Sequence, residues 1–147
     1  MDIDVKVMKL KENAELPYRG SLQSAGYDLR NSSQEDIEIK PGENVKIHTG
    51  LAMEIPDGTC ALVLPRSGIA SKKNLAPINA PGLCDSDYRG EYMVVLHNYG
   101  NVSQIITPGE RVAQVVFINY LSAAFTIVNS LEESDRGTNG FGSTGMK

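Results

Sequence analysis

The sequence predicts an all-β fold, a sandwich or jelly roll, on three observations. Short stretches of apolar residues alternate with polar ones at period 2. Turn-forming pairs separate those stretches at intervals of roughly 8–12 residues. Gly (14) and Pro (7) make up 21 of the 147 residues and are spread along the chain, which suits short elements and tight turns rather than a helical bundle. The length favours a single domain.

Taken in order, Ile3, Val5 and Val7 alternate with polar residues, as do Ile37 and Ile39, Val45 and Ile47, and Leu51, Met53 and Ile55. More continuous apolar runs at Cys60–Leu64, Tyr92–Leu96, Val112–Ile118 and Phe125–Val128 predict more deeply buried strands. Between them stand Pro41-Gly42, Pro56-Asp57-Gly58, Pro81-Gly82, Tyr99-Gly100-Asn101 and Pro108-Gly109, all turn formers. Pro-Gly-Glu opens a strand-like run twice, at Pro41 and Pro108, as repeated turn chemistry. Ser67 to Asn74 has room for about two turns of helix. The β domain is expected over residues 1–134, and the Gly-rich stretch 135–147 as a flexible tail.

Composition excludes several classes of function. A net charge of −4 leaves no basic excess to track a nucleic-acid backbone, so no direct nucleic-acid binding is expected. No uncharged apolar run reaches the roughly 20 residues that span a bilayer, and no membrane partner is expected. Charges among the apolar residues of the first segment argue against a signal peptide. Cys60 and Cys84 form no CxxC pair, and His48 and His97 complete no zinc site with them at a familiar spacing. An intracellular, reduced protein is the expectation.

Three segments carry chemistry. Gly140-Phe141-Gly142-Ser143-Thr144-Gly145 fits G-x-G-x-x-G, but only Met146 and Lys147 follow, so the helix a dinucleotide fold needs is not expected. Its small residues can still wrap an anion with backbone N–H groups, Ser143 and Thr144 add hydroxyls, and Arg136 can grip a phosphate; a plain polar tail is the alternative. Pro65-Arg66-Ser67-Gly68 leaves a strand where a helix can begin, an anion site or simply a Ser67 N-cap. Asn79 to Glu91 reads as a hairpin that sets Asp85 beside Tyr88, a general base beside a stacking surface, or else a solvated acidic turn. Asp28 in an apolar frame and Gln114 on a strand are weaker signals.

Together, in fixed order, AGYDLR (25–30), LPRSGIA (64–70), GLCDSDYRGE (82–91), PGERVAQVVF (108–117) and DRGTNGFGSTG (135–145) closely resemble the five motifs of the trimeric deoxyuridine triphosphatase (dUTPase) family. The resemblance spans nearly the whole chain. It implies a distorted jelly-roll homotrimer with an exchanged C-terminal segment and sites shared among subunits. It also implies Mg2+-dependent hydrolysis of dUTP to dUMP and pyrophosphate, which limits uracil in DNA and supplies dUMP for thymidylate synthesis. The compartment it implies is the cytoplasm, or the nucleus in a eukaryote.

The resemblance also implies roles. Asp85 resembles the catalytic aspartate that activates the attacking water, and Tyr88 the aromatic under the deoxyribose. Asn79 and the backbone of Gly82, Leu83 and Cys84 correspond to the segment that reads uracil. Asp28 matches the carboxylate that holds a metal-bound water. Arg66, Ser67, Gly68 and Gln114 match phosphate contacts. Phe141 resembles the aromatic that closes over the base with Gly142, while Arg136, Ser143 and Thr144 would hold the γ-phosphate as the tail closes. Two positions depart from the pattern: Cys84, where a β-branched aliphatic is usual, and Asn139, often glycine. An exposed Cys84 thiol would make the site sensitive to oxidation or alkylation. The alternatives are a dCTP deaminase of the same fold and a non-catalytic nucleotide-binding regulatory module. A deaminase of this kind uses a glutamate in the strand that here reads Met93-Val94-Val95-Leu96.

Overall fold

Most of the alternating stretches pair as antiparallel strands in the computed structural model, which describes residues 2–140. The first sheet runs β1 (Lys6–Lys9), β4 (Asn44–Glu54), β8 (Glu91–Asn98) and β6 (Leu75–Pro77). The second runs β2 (Tyr27–Arg30), β10 (Arg111–Asn119), β5 (Thr59–Leu64) and β7 (Gly82–Cys84). A two-stranded ribbon joins β3 (Ile37–Ile39) to β9 (Gln104–Ile106). One apolar core draws on both four-stranded sheets: Ile47, Val94 and Leu96 from the first, Leu29, Ala61, Val63, Val112 and Val115 from the second. Ile39 and Ile106 of the ribbon join it. The expected all-β architecture is what the chain adopts, and its helix, α1 (Ser67–Lys73), falls where the sequence left room for one.

The alternation reads cleanly on β8, where Tyr92, Val94, Leu96 and Asn98 are buried in step. On β4 it breaks. The stretches at Val45–Ile47 and Leu51–Met53 are one strand, interrupted by a register shift between His48 and Ala52, with Gly50 at φ 69°. Such a bulge bends the strand and turns consecutive residues inward; Thr49, Gly50 and Leu51 are all buried.

Three expectations are corrected. Phe125–Val128 is not a buried strand: Phe125 is 96% and Ile127 99% exposed. Its β-forming residues pair with no strand, and after Tyr120 N–H donates to Gly58 O (3.2 Å), the further backbone bonds among the described residues are local turns, Gly137 N–H to Ser134 O and Asn139 N–H to Arg136 O. The segment 79–91 is not a simple hairpin, because β7 pairs with β5 whereas β8 pairs with β4 and β6. Ser67 does not cap α1. Arg66 holds the N-cap position in extended conformation (φ −103°, ψ 132°), with no side-chain cap, and Ser67 is the first helical residue. The other end is well terminated: Asn74 turns left-handed (φ 53°), and Lys72 and Lys73 lie in the last turn, where cations suit the helix dipole.

Candidate active site

Cross-strand pairing in the second sheet brings the first group together. Asp28 on β2 lies opposite Gln114 on β10, and Gln114 in turn lies opposite Leu64, the last residue of β5. Two residues beyond Leu64, Arg66 reaches back to the carboxylate, with Nε 2.6 Å from Asp28 Oδ1. Arg111 Nη1 approaches the other oxygen at 3.2 Å. The Gln114 amide donates to Pro65 O at 2.8 Å, tying the turn before α1 to the sheet. Gly26 makes room for that amide, since a Cβ there would collide with Gln114 Oε1. The result is one largely buried carboxylate between two cations, beside the exposed Ser67 and Gly68. It is a half-shielded positive patch, suited to a polyanion.

Arg111 was not among the residues singled out above. Its signal was present, because it stands within PGERVAQVVF, three residues before Gln114. A strict period-2 reading puts neighbours such as Arg111 and Gln114 on opposite faces. The bulge between Arg111 and Ala113 removes that separation.

The second group is built on the other edge of β5. Val63 pairs with Val115 on one side and with Gly82 on the other, so β5 carries both groups at its C-terminal end. Asn79 precedes the turn into β7, and its amide nitrogen lies close over Gly82. After Cys84 the chain turns, with Tyr88 N–H donating to Asp85 O (3.2 Å) and Arg89 Nη1 to Ser86 O (2.7 Å). Tyr88 folds back so that its hydroxyl donates to Glu91 O at 2.9 Å, over Gly90, where a Cβ would strike the ring. Asp85 is left exposed, and Tyr88 presents a 40% exposed aromatic beside it. Burial pushes the half-buried Cys84 thiol up, away from the reactive thiolate.

Glu91 anchors the loop. Burial alone would raise its pKa, but the His48 ring (Nδ1 at 2.8 Å) and the Gly50 amide (2.7 Å) outweigh it and hold the carboxyl below its ordinary value.

Among the described residues, no hydrogen bond or ion pair joins the Asp85–Tyr88 loop to the Asp28 group. Arg136 stands apart from both, in a local turn with Nε donating to Asn139 O at 2.9 Å. Phe141, Gly142, Ser143 and Thr144 lie outside the described residues.

The family model for dUTPase matches residues 12–145. The chain belongs to the dUTPase family. A deoxyuridine 5'-triphosphate nucleotidohydrolase of Paraburkholderia phytofirmans is 42% identical over 146 residues, covering 99% of both chains. One of Paraburkholderia xenovorans is equally similar. The solved dUTPase of Staphylococcus bacteriophage 80alpha with dUPNHPP superposes with a TM-score of 0.87 at 28% identity, over 97% of this chain and 99% of that one. The family fold thus spans both groups of candidate residues.

Proposed function

We propose that this dUTPase-family chain hydrolyses dUTP to dUMP and pyrophosphate, with the Asp28–Arg66–Arg111–Gln114 group taking the triphosphate and the β7 segment and its following turn taking the nucleoside. The observation that supports it most is the gathering of Arg66 and Arg111, distant in sequence, on the two oxygens of Asp28, with Gln114 across the ladder tying in the Pro65 turn, which leaves a surplus of positive charge. A triphosphate carries about four negative charges, and a cationic cradle stabilises their redistribution in the transition state.

Asp85 is the base. Its exposed carboxylate can accept the proton of a water placed to attack the α-phosphorus and, through its second oxygen, hold the 3′-hydroxyl. Tyr88 stacks under the deoxyribose and leaves no room for a 2′-hydroxyl. The backbone of Gly82, Leu83 and Cys84, with Asn79, reads uracil. Arg136, Phe141, Gly142, Ser143 and Thr144 close over the bound nucleotide and exclude bulk water.

Among the described residues no three His, Cys, Asp or Glu side chains cluster as a ready metal site. Asp28 supplies a single carboxylate, which fits Mg2+ held mainly by phosphates and water, with Asp28 holding a coordinated water. Bound with the substrate, Mg2+ supplies charge neutralisation along the phosphate chain.

Among the described residues no hydrogen bond or ion pair joins the nucleoside and phosphate groups, and the segment past Asn119 exposes Leu121, Phe125, Ile127 and Leu131. Both features fit a homotrimer in which this segment lies on a neighbour and sites are shared. No described helix is long and apolar enough to cross a membrane, and the reaction belongs with intracellular nucleotides.

Incubation with dUTP, dCTP, dTTP or UTP plus Mg2+ tests the proposal, following pyrophosphate and ammonia. Pyrophosphate from dUTP alone is expected. Ammonia from dCTP would identify a deaminase, and nucleotide binding without product a regulatory module.

A further inference from the structure

Side-chain bonds gather where the loop carrying Asp85 and Tyr88 runs into β8. The ladder between β4 and β8 is interrupted there: His48 lies opposite Met93 and Ala52 opposite Glu91, so residues 49–51 face Tyr92 alone. Side chains take over from the missing rungs. Glu91 uses both carboxylate oxygens across the bulge, one on the His48 ring (Nδ1, 2.8 Å) and one on the Gly50 amide (2.7 Å). Beside them Thr49 Oγ1 donates to Tyr92 O at 2.5 Å. These partners favour the ionised form of Glu91, and a carboxylate only accepts, so the His48 ring donates from Nδ1. Gly50 is required for its part. Its backbone is left-handed (φ 69°), and a Cβ there would stand 2.9 Å from that of Ala14.

The backbone of Glu91 holds the aromatic. Tyr88 makes one side-chain hydrogen bond among the described residues, from its hydroxyl to Glu91 O at 2.9 Å. Its ring is 40% exposed, stands over Gly90 and has the Tyr92 ring 6.0 Å away, so packing alone fixes it loosely. Where Glu91 sits therefore decides where the Tyr88 ring stands. Glu91 in turn is placed from β4 through its own side chain, which is 17% exposed against 46% for His48.

We propose that Glu91 and His48 are positioning residues for sugar selectivity: braced on the β4 bulge, they set the stand of the Tyr88 ring and thereby the room left at the 2′ carbon of the sugar. The inference rests on the assignment of Tyr88 to the deoxyribose. Rejecting a nucleotide by an added hydroxyl depends on a clash, and a clash discriminates only if the wall cannot yield. A displacement of about 1 Å is already large for such a fit.

The test is kcat/KM for dUTP and for UTP, beside a thermal melt of each variant. Glu91→Ala should lower the dUTP-to-UTP ratio about 3- to 20-fold, because the ring gains freedom to admit the 2′-hydroxyl. His48→Ala removes an exposed partner and should lower the ratio about 2- to 5-fold without disturbing the fold. Glu91→Gln can accept from Gly50 and donate to His48 once the ring proton moves to Nε2, so it should stay within about 2-fold of the parent. In a Tyr88→Phe background the tether to Glu91 O is already gone, and Glu91→Ala should change the ratio less than about 2-fold. A merely structural role would lower both substrates in parallel. Parallel losses, a parental ratio in both alanine variants, a Glu91→Gln ratio as low as that of Glu91→Ala, or a full Glu91→Ala effect in the Tyr88→Phe background would overturn the inference. A parent protein that fails to cleave dUTP, or cleaves UTP equally well, would instead overturn the functional assignment on which it rests.

Discussion

Asp28 shows how a residue's surroundings define its use. Both its oxygens face guanidinium groups, Arg66 at 2.6 Å and Arg111 at 3.2 Å, so in the unliganded chain it orders two cations that a polyphosphate can recruit. Asp85 is the opposite case, exposed and without a side-chain partner among the hydrogen bonds and ion pairs of the described residues. Replacing it with Asn should therefore leave the fold intact, within about 0.5 kcal/mol. Turnover should drop on the order of 10²–10⁴-fold as the base is lost. Pyrophosphate release beside a thermal melt checks both, and near-normal turnover would overturn the assignment. Gly26→Ala acts at the same scale by a different route. The added methyl displaces the Gln114 amide and breaks its 2.8 Å bond to Pro65 O, which should cost about 1–3 kcal/mol. Urea denaturation measures that loss, and an unchanged midpoint would mean that the amide has another place to go.

At the scale of elements, β5 is the strand on which both groups depend, and it was among the clearest in the sequence because its Cys60–Leu64 run is apolar throughout, with Cys60, Ala61 and Val63 buried. The same holds for β8, whose regular alternation defines its inner face. What could not be read was where partners lie. Phe125–Val128 has the composition of a strand yet no edge to join, and the segment leading through β7 into β8 has hairpin spacing yet crosses between sheets. The candidate residues fared in the same way. Asp28, Arg66 and Gln114 were legible through five ordered motifs, whereas Arg111 needed a bulge that leaves no mark in the composition. Two carboxylates clamp elements together. Glu91 ties the β4 bulge to β8, and Glu110, in the turn before β10, meets Lys73 at 2.5 Å and the Thr107 amide at 2.9 Å. Burial opposes ionisation of both, but these partners prevail and hold both pKa values below the ordinary glutamate value. Because the folded values are depressed, the stabilisation is complete above the unfolded pKa of about 4.3 and is lost as pH falls through the folded values. The thermal midpoint should decline below about pH 5, and Glu91→Gln and Glu110→Gln should each flatten that decline. Variants with the parental pH profile would show that the clamps contribute nothing to acid sensitivity.

For the whole molecule, the length that suffices for a single core leaves two candidate groups that share no hydrogen bond or ion pair among the described residues. The Asp28 group and the Asp85–Tyr88 loop sit on opposite edges of β5, and the chain then leaves the body after Tyr120 with Leu121, Phe125, Ile127 and Leu131 facing outward. So much exposed apolar surface in one segment calls for a covering surface, and in the proposed homotrimer the groove of about 790 Å3 lined by Leu16, Tyr27 and Phe117 would offer one on a second copy. In the proposed assembly residues 121–134 would serve docking and residues 136–147 closure, so the two roles can be tested separately. Removing 136–147 should leave the mass in solution at that of the intact assembly, by light scattering. It should also lower dUTP turnover by about 10²-fold or more, since the proposed closure would exclude water and supply the γ-phosphate contacts. Full activity in the shortened protein would remove the tail from the mechanism. A shift to monomer would instead place the tail among the contacts that hold the assembly together.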